Sequence, residues 1–167
     1  MADITSHQQV RFPGDKHDHE QCIADAMTEA AAVCNQRGAR LTPLRARVLE
    51  IVWRSHRPLG AYAILEVLAD EGRTPAPPTV YRALDFLTDH GLVHRLASLN
   101  AFIGCNSPGH PGICQFLLCR SCGAVAELDD PGIRRAIQRR AVAEGFEAQL
   151  HTVEVSGVCP NCQSQDT

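Results

Sequence analysis

The sequence contains no apolar stretch that approaches the roughly 20 residues needed to cross a membrane. Its first twenty residues, MADITSHQQVRFPGDKHDHE, are polar and lack the apolar core of a secretory signal. It also shows no internal repeat and no low-complexity tract. We therefore expect a soluble, cytoplasmic protein with no membrane partner. A chain of 167 residues has room for one ordinary domain or two small ones.

The net charge of the chain is small, but its charged residues are unevenly distributed. The formal net charge of −3 does not indicate a nucleic-acid-binding protein. Between residues 37 and 57, however, six arginines stand against one acid, Glu50. A local basic patch of this kind is typical of DNA contact, although a solvated arginine face would have the same composition.

The first half of the chain predicts three or four helices followed by a hairpin. Helical spacing begins near residues 18–20, and LTPLRARVLEIVW begins a second helix with Thr42 as its N-cap and Pro43 in its first turn. A third short helix follows Gly60, and TVYRALDFLTDHG forms the next. LVHRLASLNAFIGC then alternates as two strands around a turn. This order is that of a winged helix-turn-helix domain, whose last helix would enter the major groove.

The second half predicts a small α/β unit. NSPGHPG is a Pro/Gly linker, QFLLC and AVAEL predict strands, and a helix begins at Asp130-Pro131 and ends at Gly145. Its apolar positions include Ile133, Ala136 and Ile137, and FEAQLHTVEV predicts the last strand. We thus expect an α+β protein with these segments: 1–17 a disordered tail, 18–104 a winged-helix DNA-binding domain, 105–111 a hinge and 112–167 a zinc-stapled dimerisation domain.

Two C-x-x-C pairs are the strongest motif. The four thiols can bind one tetrahedral ion, with zinc the usual occupant. The absence of a signal argues against disulfides, and a thioredoxin-like site would need one pair after a βαβ pattern that is missing here. Closed four-thiolate sites are normally structural. The pairs are Cys119 and Cys122, in CRSCG, and Cys159 and Cys162, in CPNC.

A second, looser set of metal-binding residue types lies around the linker. It comprises His94, Cys105, His110, Cys114, Glu127 and His151. Each has an ordinary structural interpretation when taken alone, but a mixed nitrogen, sulfur and oxygen set suits zinc and disfavours manganese or magnesium. Metal binding by residues from both halves would fix their relative orientation, as a metal-sensing switch requires. His17 and His19, in HDHE, have no role that the sequence can assign.

Four segments together resemble the Fur family of metal-dependent repressors, over roughly residues 20–163. They are RLTPLRARVLEIV, PPTVYRALDFLTDHGLVHR, CRSCGAVAEL and GVCPNC. Within that family the sequence is most similar to the zinc uptake regulators (Zur). The resemblance implies a winged helix followed by an α/β dimerisation domain.

The resemblance also implies site residues. Cys119, Cys122, Cys159 and Cys162 match the structural zinc ligands, and His94, Cys105 and Glu127 match the regulatory ones. His110 is the expected fourth regulatory ligand, but HPGICQFLLC is longer than the corresponding Zur segment, so Cys114 competes for the role.

DNA contact is implied by the resemblance at Tyr62 and Arg82. Thr79 and Tyr81 lie on the same predicted helix as Arg82, and Arg45 and Arg47 are expected to contact phosphates.

These expectations combine into one hypothesis: a zinc-dependent repressor, with one structural and one exchangeable zinc per chain, that binds operator DNA as a homodimer and controls zinc-uptake genes. It predicts no catalysis and no small organic substrate. An iron- or peroxide-responsive regulator of the same architecture is the nearest alternative. From other classes, a zinc-ribbon thiol redox protein and a DNA-independent scaffold module remain open.

Overall fold

The chain divides into two compact units, residues 15–111 and residues 112–167 together with 1–14. A computed structural model describes residues 12, 19–55, 57–108, 113–148 and 151–164. His17 and His110 lie outside the described residues, as does the side chain of His151. None of the described helices combines the length and the apolarity that crossing a membrane requires.

The unit formed by residues 15–111, called here the N-terminal unit, consists of helices followed by a hairpin. Its elements, in the described part of the chain, are α1 (His19–Gln36), α2 (Pro43–Arg54), α3 (Ala61–Asp70), α4 (Pro77–Asp89), β1 (Val93–Leu96) and β2 (Ala101–Gly104). The Thr42 side chain accepts a hydrogen bond from the backbone N–H of Arg45 and so caps α2, and Pro43 stands in the first turn, as predicted. The α4 helix begins at Pro77, two residues before the predicted start.

One apolar core joins the four helices to the hairpin. Each helix buries a stripe at three- and four-residue spacing, because a 3.6-residue period returns those positions to the same face. The fully buried members include Val48, Leu68, Leu84 and Leu87, and Phe102 contributes from β2. Burying these side chains is the main stabilising term for the N-terminal unit.

The hairpin formed by β1 and β2 is antiparallel, with Val93 opposite Gly104 and His94 opposite Ile103. A single 3₁₀ turn, Ala97–Leu99, connects the strands, and Asn100 takes a left-handed conformation with φ of 45°. The backbone N–H of Cys105 donates to the Leu92 carbonyl at 3.1 Å, which extends the pairing past the end of β2.

The C-terminal unit is a three-stranded sheet with helices. Its described elements are β3 (Ile113–Cys119), β4 (Val125–Leu128), α5 (Pro131–Ala143), β5 (His151–Gly157) and the short α6 (Pro160–Gln163). The strand order is β4-β3-β5, with β3 antiparallel to β4 and parallel to β5. The sequence predicted the α+β class correctly.

Further local differences from the predicted elements lie in the C-terminal unit. The last strand begins at His151, later than FEAQLHTVEV indicated, and Phe146 precedes it as an exposed side chain. Ala136 of α5 is exposed, whereas Ile133 and Ile137 are half-buried. The four-residue α6 helix was not predicted because its sequence, PNCQ, carries no helical period.

Phe12, which the sequence assigned to the tail, belongs to the same unit. It packs against the cluster of Cys119, Ala124 and Cys159. It also lines an apolar pocket of about 340 Å³ beside β5, together with Val155 and Val158.

Candidate metal centres and nucleic-acid surface

The two C-x-x-C pairs meet in the C-terminal unit. The Sγ atoms of Cys119, Cys122, Cys159 and Cys162 all lie within 4.8 Å of one another, and those of Cys122 and Cys159 are 3.8 Å apart. Four sulfurs at about 2.3 Å from a tetrahedral zinc would be separated by about 3.8 Å. All eight cysteines lie in the described residues and all are thiols, so the arrangement is not that of two disulfides. The donor set fits zinc.

Strand pairing produces this arrangement. The parallel register of β3 and β5 places Cys119 opposite Gly157, two residues before Cys159. The turn after Cys119 is closed by a 2.9 Å hydrogen bond from the Gly123 N–H to the Cys119 carbonyl. Gly123 has a φ of 74°, a left-handed conformation that favours glycine. The sheet therefore brings together two pairs that are far apart in sequence.

The protonation of the cluster is uneven. The Cys159 backbone N–H donates to the Cys119 sulfur at 3.3 Å and, with the N–H groups of Cys122 and Ser121, lowers the pKa of the Cys119 thiol to about 6. A hydrogen bond to the Cys159 sulfur raises the pKa of the Cys162 thiol to about 12. Adjacent thiolates repel one another, so four of them can ionise together only around a cation.

A second pair of donors lies on the hairpin of the N-terminal unit. A ring nitrogen of His94 and the Sγ of Cys105 lie within 4.8 Å of one another. His94 is 8% exposed and Cys105 is 1% exposed. A buried imidazole beside a buried thiol is a nitrogen–sulfur donor pair that suits zinc.

The other predicted regulatory ligands belong to different segments. Glu127 is half-buried on β4, where it pairs in register with Phe116. Cys114 is buried on β3. His110 lies outside the described residues. The choice between His110 and Cys114 therefore stays a prediction.

The solvent-facing side of α4 carries three of the predicted DNA contacts. Thr79, Tyr81 and Arg82 are exposed there, opposite the buried stripe of the helix. Arg82 has no ion-pair partner among the described residues. Tyr62, in the first turn of α3, is 70% exposed. An unpaired arginine and exposed tyrosines on neighbouring helices can donate hydrogen bonds to bases or phosphates.

Arg45 makes contacts within the fold. Its guanidinium stacks over the Phe86 ring, 3.6 Å from the centroid, and donates to the Arg40 carbonyl at 2.7 Å. Phe86 in turn stacks on His90, with ring centroids 4.0 Å apart. Arg45 therefore joins α2 to α4 through a cation–π contact.

Arg47 forms an ion-pair network. It contacts Glu50 at 2.6 Å and donates from Nε and Nη2 to the carboxylate of Glu71, beyond the end of α3. These partners raise the pKa of the Arg47 guanidinium and lower the pKa of both carboxyls. A phosphate would have to compete with both carboxylates for this side chain.

A model of the ferric uptake regulator family matches residues 36–156. The chain belongs to this family. Proteins of the ferric uptake regulator family are transcription regulators, so the chain is a metal-responsive transcriptional regulator and not an enzyme, as the sequence predicted.

Within the family, the chain is similar to proteins described as zinc uptake regulators. The zinc uptake regulation protein of Escherichia coli (strain K12) is 34% identical over 141 residues, which cover 83% of this chain and 81% of that protein. The crystal structure of holo XcZur is 40% identical with a TM-score of 0.79, covering 84% of this chain and 98% of that one. A zinc uptake regulator complexed with zinc and DNA is 32% identical with a TM-score of 0.80, covering 90% and 99%.

Proposed function

We propose that this protein is a zinc-responsive repressor that binds operator DNA as a homodimer when loaded with zinc and controls zinc-uptake genes. The observation that carries the proposal is the buried pair of His94 and Cys105 on the hairpin, separate from the four-cysteine cluster. Two donor sets of different chemistry allow one metal ion to stabilise the fold and a second, exchangeable ion to bind according to the metal concentration. The similarity to proteins named as zinc uptake regulators supports zinc as that metal.

Cys119, Cys122, Cys159 and Cys162 are the proposed ligands of the structural zinc. Four thiolates fill a tetrahedral coordination shell and leave no position for a substrate or an exchangeable ligand. The sulfur separation of 3.8 Å supports this assignment. This zinc would join the end of β3 to the chain after β5 and stay bound when zinc is scarce.

His94 and Cys105 are the proposed first ligands of the exchangeable zinc. The thiolate makes the site poorly suited to manganese or magnesium, which prefer oxygen ligands. Glu127, with His110 or Cys114, completes the predicted set. This mixed set contains fewer thiolates than the four-cysteine cluster, so we propose that it binds zinc less tightly and that this zinc exchanges when its concentration falls.

DNA recognition is proposed at the exposed face of α4. Arg82, with Thr79 and Tyr81 beside it, would approach base edges in the major groove, and Tyr62 would contact the duplex from α3. Arg45 and Arg47 have intramolecular partners, so their proposed part is chiefly to fix α2 against its neighbours. A dimer would present two α4 helices to successive half-sites. Such a protein acts in the cytoplasm.

The experiment measures operator binding at buffered free zinc, iron and manganese. Zinc alone should restore binding to the chelated protein. His94→Ala and Cys105→Ala should each abolish the zinc dependence of DNA binding while the dimer stays folded and keeps one zinc per chain. Variants that still bind DNA only with zinc would overturn the assignment of these residues to the sensor site. Restoration of DNA binding by iron or manganese and not by zinc would overturn the assignment of zinc as the sensed metal.

Arg82→Ala tests the DNA surface separately. We expect a loss on the order of 1–3 kcal/mol in specific binding, with both zinc ions retained. Thr88→Ala is a control on the same helix, because Thr88 donates to the Leu84 carbonyl at 2.8 Å and is half-buried. Unchanged operator affinity in Arg82→Ala would remove that residue from the interface.

A further inference from the structure

Gly104, the residue before Cys105, is in close contact with an aromatic ring. A Cβ atom built on Gly104 would lie 2.5 Å from Cε2 and 2.6 Å from Nε1 of Trp53. Real Cβ contacts are not found at such distances, so the indole occupies the space that any other side chain would need. Gly104 is glycine here because Trp53 of α2 packs directly on the backbone of β2.

The ring and the metal-binding pair lie on opposite faces of the hairpin. Neighbouring residues of a strand point to opposite faces, and residues paired across an antiparallel ladder share one. Gly104 pairs with Val93, which is buried in the helical core. The adjacent residues, Cys105 and His94, therefore face the other way. Trp53 thus supports the strand end from behind, and the two metal-binding side chains project from its front.

Trp53 also connects this support to the helices that face DNA. It stands near the end of α2, half-buried, and packs against the same core as the buried residues of α4. Arg45, two turns earlier on α2, stacks on Phe86 of α4. A shift of the β2 end would move the indole, and the packed α2–α4 pair would have to accommodate it.

We propose that Trp53 is a positioning residue for the metal site on the hairpin: its indole, pressed on Gly104, sets the position of Cys105 and couples zinc binding to α2. The inference rests on the proposed function, because it takes His94 and Cys105 as zinc ligands. Residues that hydrogen-bond to metal ligands commonly change metal affinity by 10- to 100-fold when altered. Here the contact is steric, so it should be lost both when the ring is removed and when the glycine acquires a methyl group.

The test is a double-substitution cycle on the full-length protein. Zinc affinities are measured by chelator competition for Trp53→Leu, Gly104→Ala and the double variant, with the tightly bound zinc as an internal reference. Each single variant should bind the second zinc about 10-fold more weakly, and Gly104→Ala should cost little in the Trp53→Leu background, because the indole that it would strike is gone. Equal second-zinc affinity in Trp53→Leu and the parent, or two effects that simply multiply, would overturn the proposal.

A matched control separates positioning from loss of stability. Leu65 is a half-buried side chain packed on the same core, so Leu65→Ala should lower the melting temperature without changing the second-zinc affinity. If Leu65→Ala weakens the second zinc as much as Trp53→Leu does, the effect is general destabilisation and the proposal fails.

Tryptophan emission tests the coupling in the unsubstituted chain, which contains a single tryptophan. Addition of the second zinc equivalent should shift the emission of Trp53, and His94→Ala should abolish that shift. A parent that binds a second, His94-dependent zinc with unchanged emission would overturn the coupling alone. A parent that binds no such zinc would overturn the proposed function, and the inference with it.

Discussion

The backbone N–H of Cys159 donates a hydrogen bond to the sulfur of Cys119 at 3.3 Å, across 40 residues of chain. The contact exists because β5 runs parallel to β3 and returns the chain to the same end of the sheet. Together with the N–H groups of Cys122 and Ser121, it lowers the pKa of the Cys119 thiol to about 6, so this sulfur is largely ionised near neutral pH. The fold thus prepares one metal ligand before a metal arrives.

Substitution in the four-cysteine cluster should destabilise the C-terminal unit. Cys119→Ser removes the ionised sulfur, and because the binding free energy of a structural zinc is part of the folding free energy, we expect loss of one zinc per chain and of the cooperative unfolding of this unit. Metal content and thermal denaturation followed by circular dichroism measure both effects. Cys22→Ser on α1 is the control, since Cys22 is half-buried outside both donor clusters. A Cys119→Ser protein with full zinc content would contradict the structural role.

Phe12 should protect the same cluster. Its ring packs against Cys119 and Cys159 and therefore limits the access of chelators and thiol reagents. Phe12→Ala should raise the rate of zinc removal by excess chelator by about 10-fold, since the apolar shell around a metal site controls solvent access. A metallochromic dye follows the release.

Phe146→Ala supplies the matched comparison for this rate. Phe146 is 65% exposed, so its removal should leave zinc release unchanged. Equal release rates for the parent and Phe12→Ala would show that the ring does not restrict access.

The sequence predicted features that depend on neighbouring residues and missed contacts between residues far apart in the chain. Helix caps, such as Thr42, and the C-x-x-C knuckles are local patterns, and they were recognised correctly. The contacts of Arg45 with Phe86 and of Arg47 with Glu71 were not, because these partners lie 41 and 24 positions away and no period links them. From the sequence alone, the arginines were therefore interpreted as a basic patch without intramolecular partners.

The contact between Trp53 and Gly104 was missed for the same reason. Gly104 ends a strand and looks like an ordinary turn glycine in the sequence. Only the packing of α2 on the hairpin shows that the missing side chain is a steric requirement. The role of Phe12 likewise follows from tertiary packing and has no pattern in the surrounding residues.

The Arg47 network should contribute to stability in a pH-dependent manner. Arg47 lowers the pKa of Glu50 and of Glu71 in the folded protein. Groups with a depressed folded pKa stabilise above their unfolded pKa, about 4.3 for Glu, and the contribution is lost as the pH falls through the folded pKa. Arg47→Met should therefore be less stable than the parent at pH 7. The difference should begin to shrink near pH 4 and vanish only when the pH falls below the folded pKa of both carboxyls. For the half-exposed pair with Glu50 we expect at most about 1 kcal/mol.

Urea denaturation at several pH values measures this difference. Both proteins contain the same cysteines, so the acid sensitivity of the metal cluster affects them equally and cancels. Arg57→Met is the control, because Arg57 is exposed and has no ion pair within the described residues. A stability difference between Arg47→Met and the parent that persists unchanged into acid would show that packing of the arginine stem, and not its charge, is responsible.

The edge of the C-terminal sheet should form the homodimer interface. Among the described strands β5 pairs only with β3, so one side of its backbone is open to a further strand. Val155 on β5 is 51% exposed and lines the apolar pocket with Val158 and Phe12. An open strand edge next to an exposed apolar surface is a common site of association between copies of a chain.

Val155→Glu would place a charge on this surface. We expect the dissociation constant of the dimer, measured by sedimentation, to rise at least 10-fold, about 1.4 kcal/mol. Val67→Glu, the same change at a 37% exposed valine on α3, should leave the dimer intact. If Val155→Glu sediments like the parent while both zinc ions are retained, the interface lies elsewhere, and the spacing of two α4 helices on DNA would have to be set by a different surface.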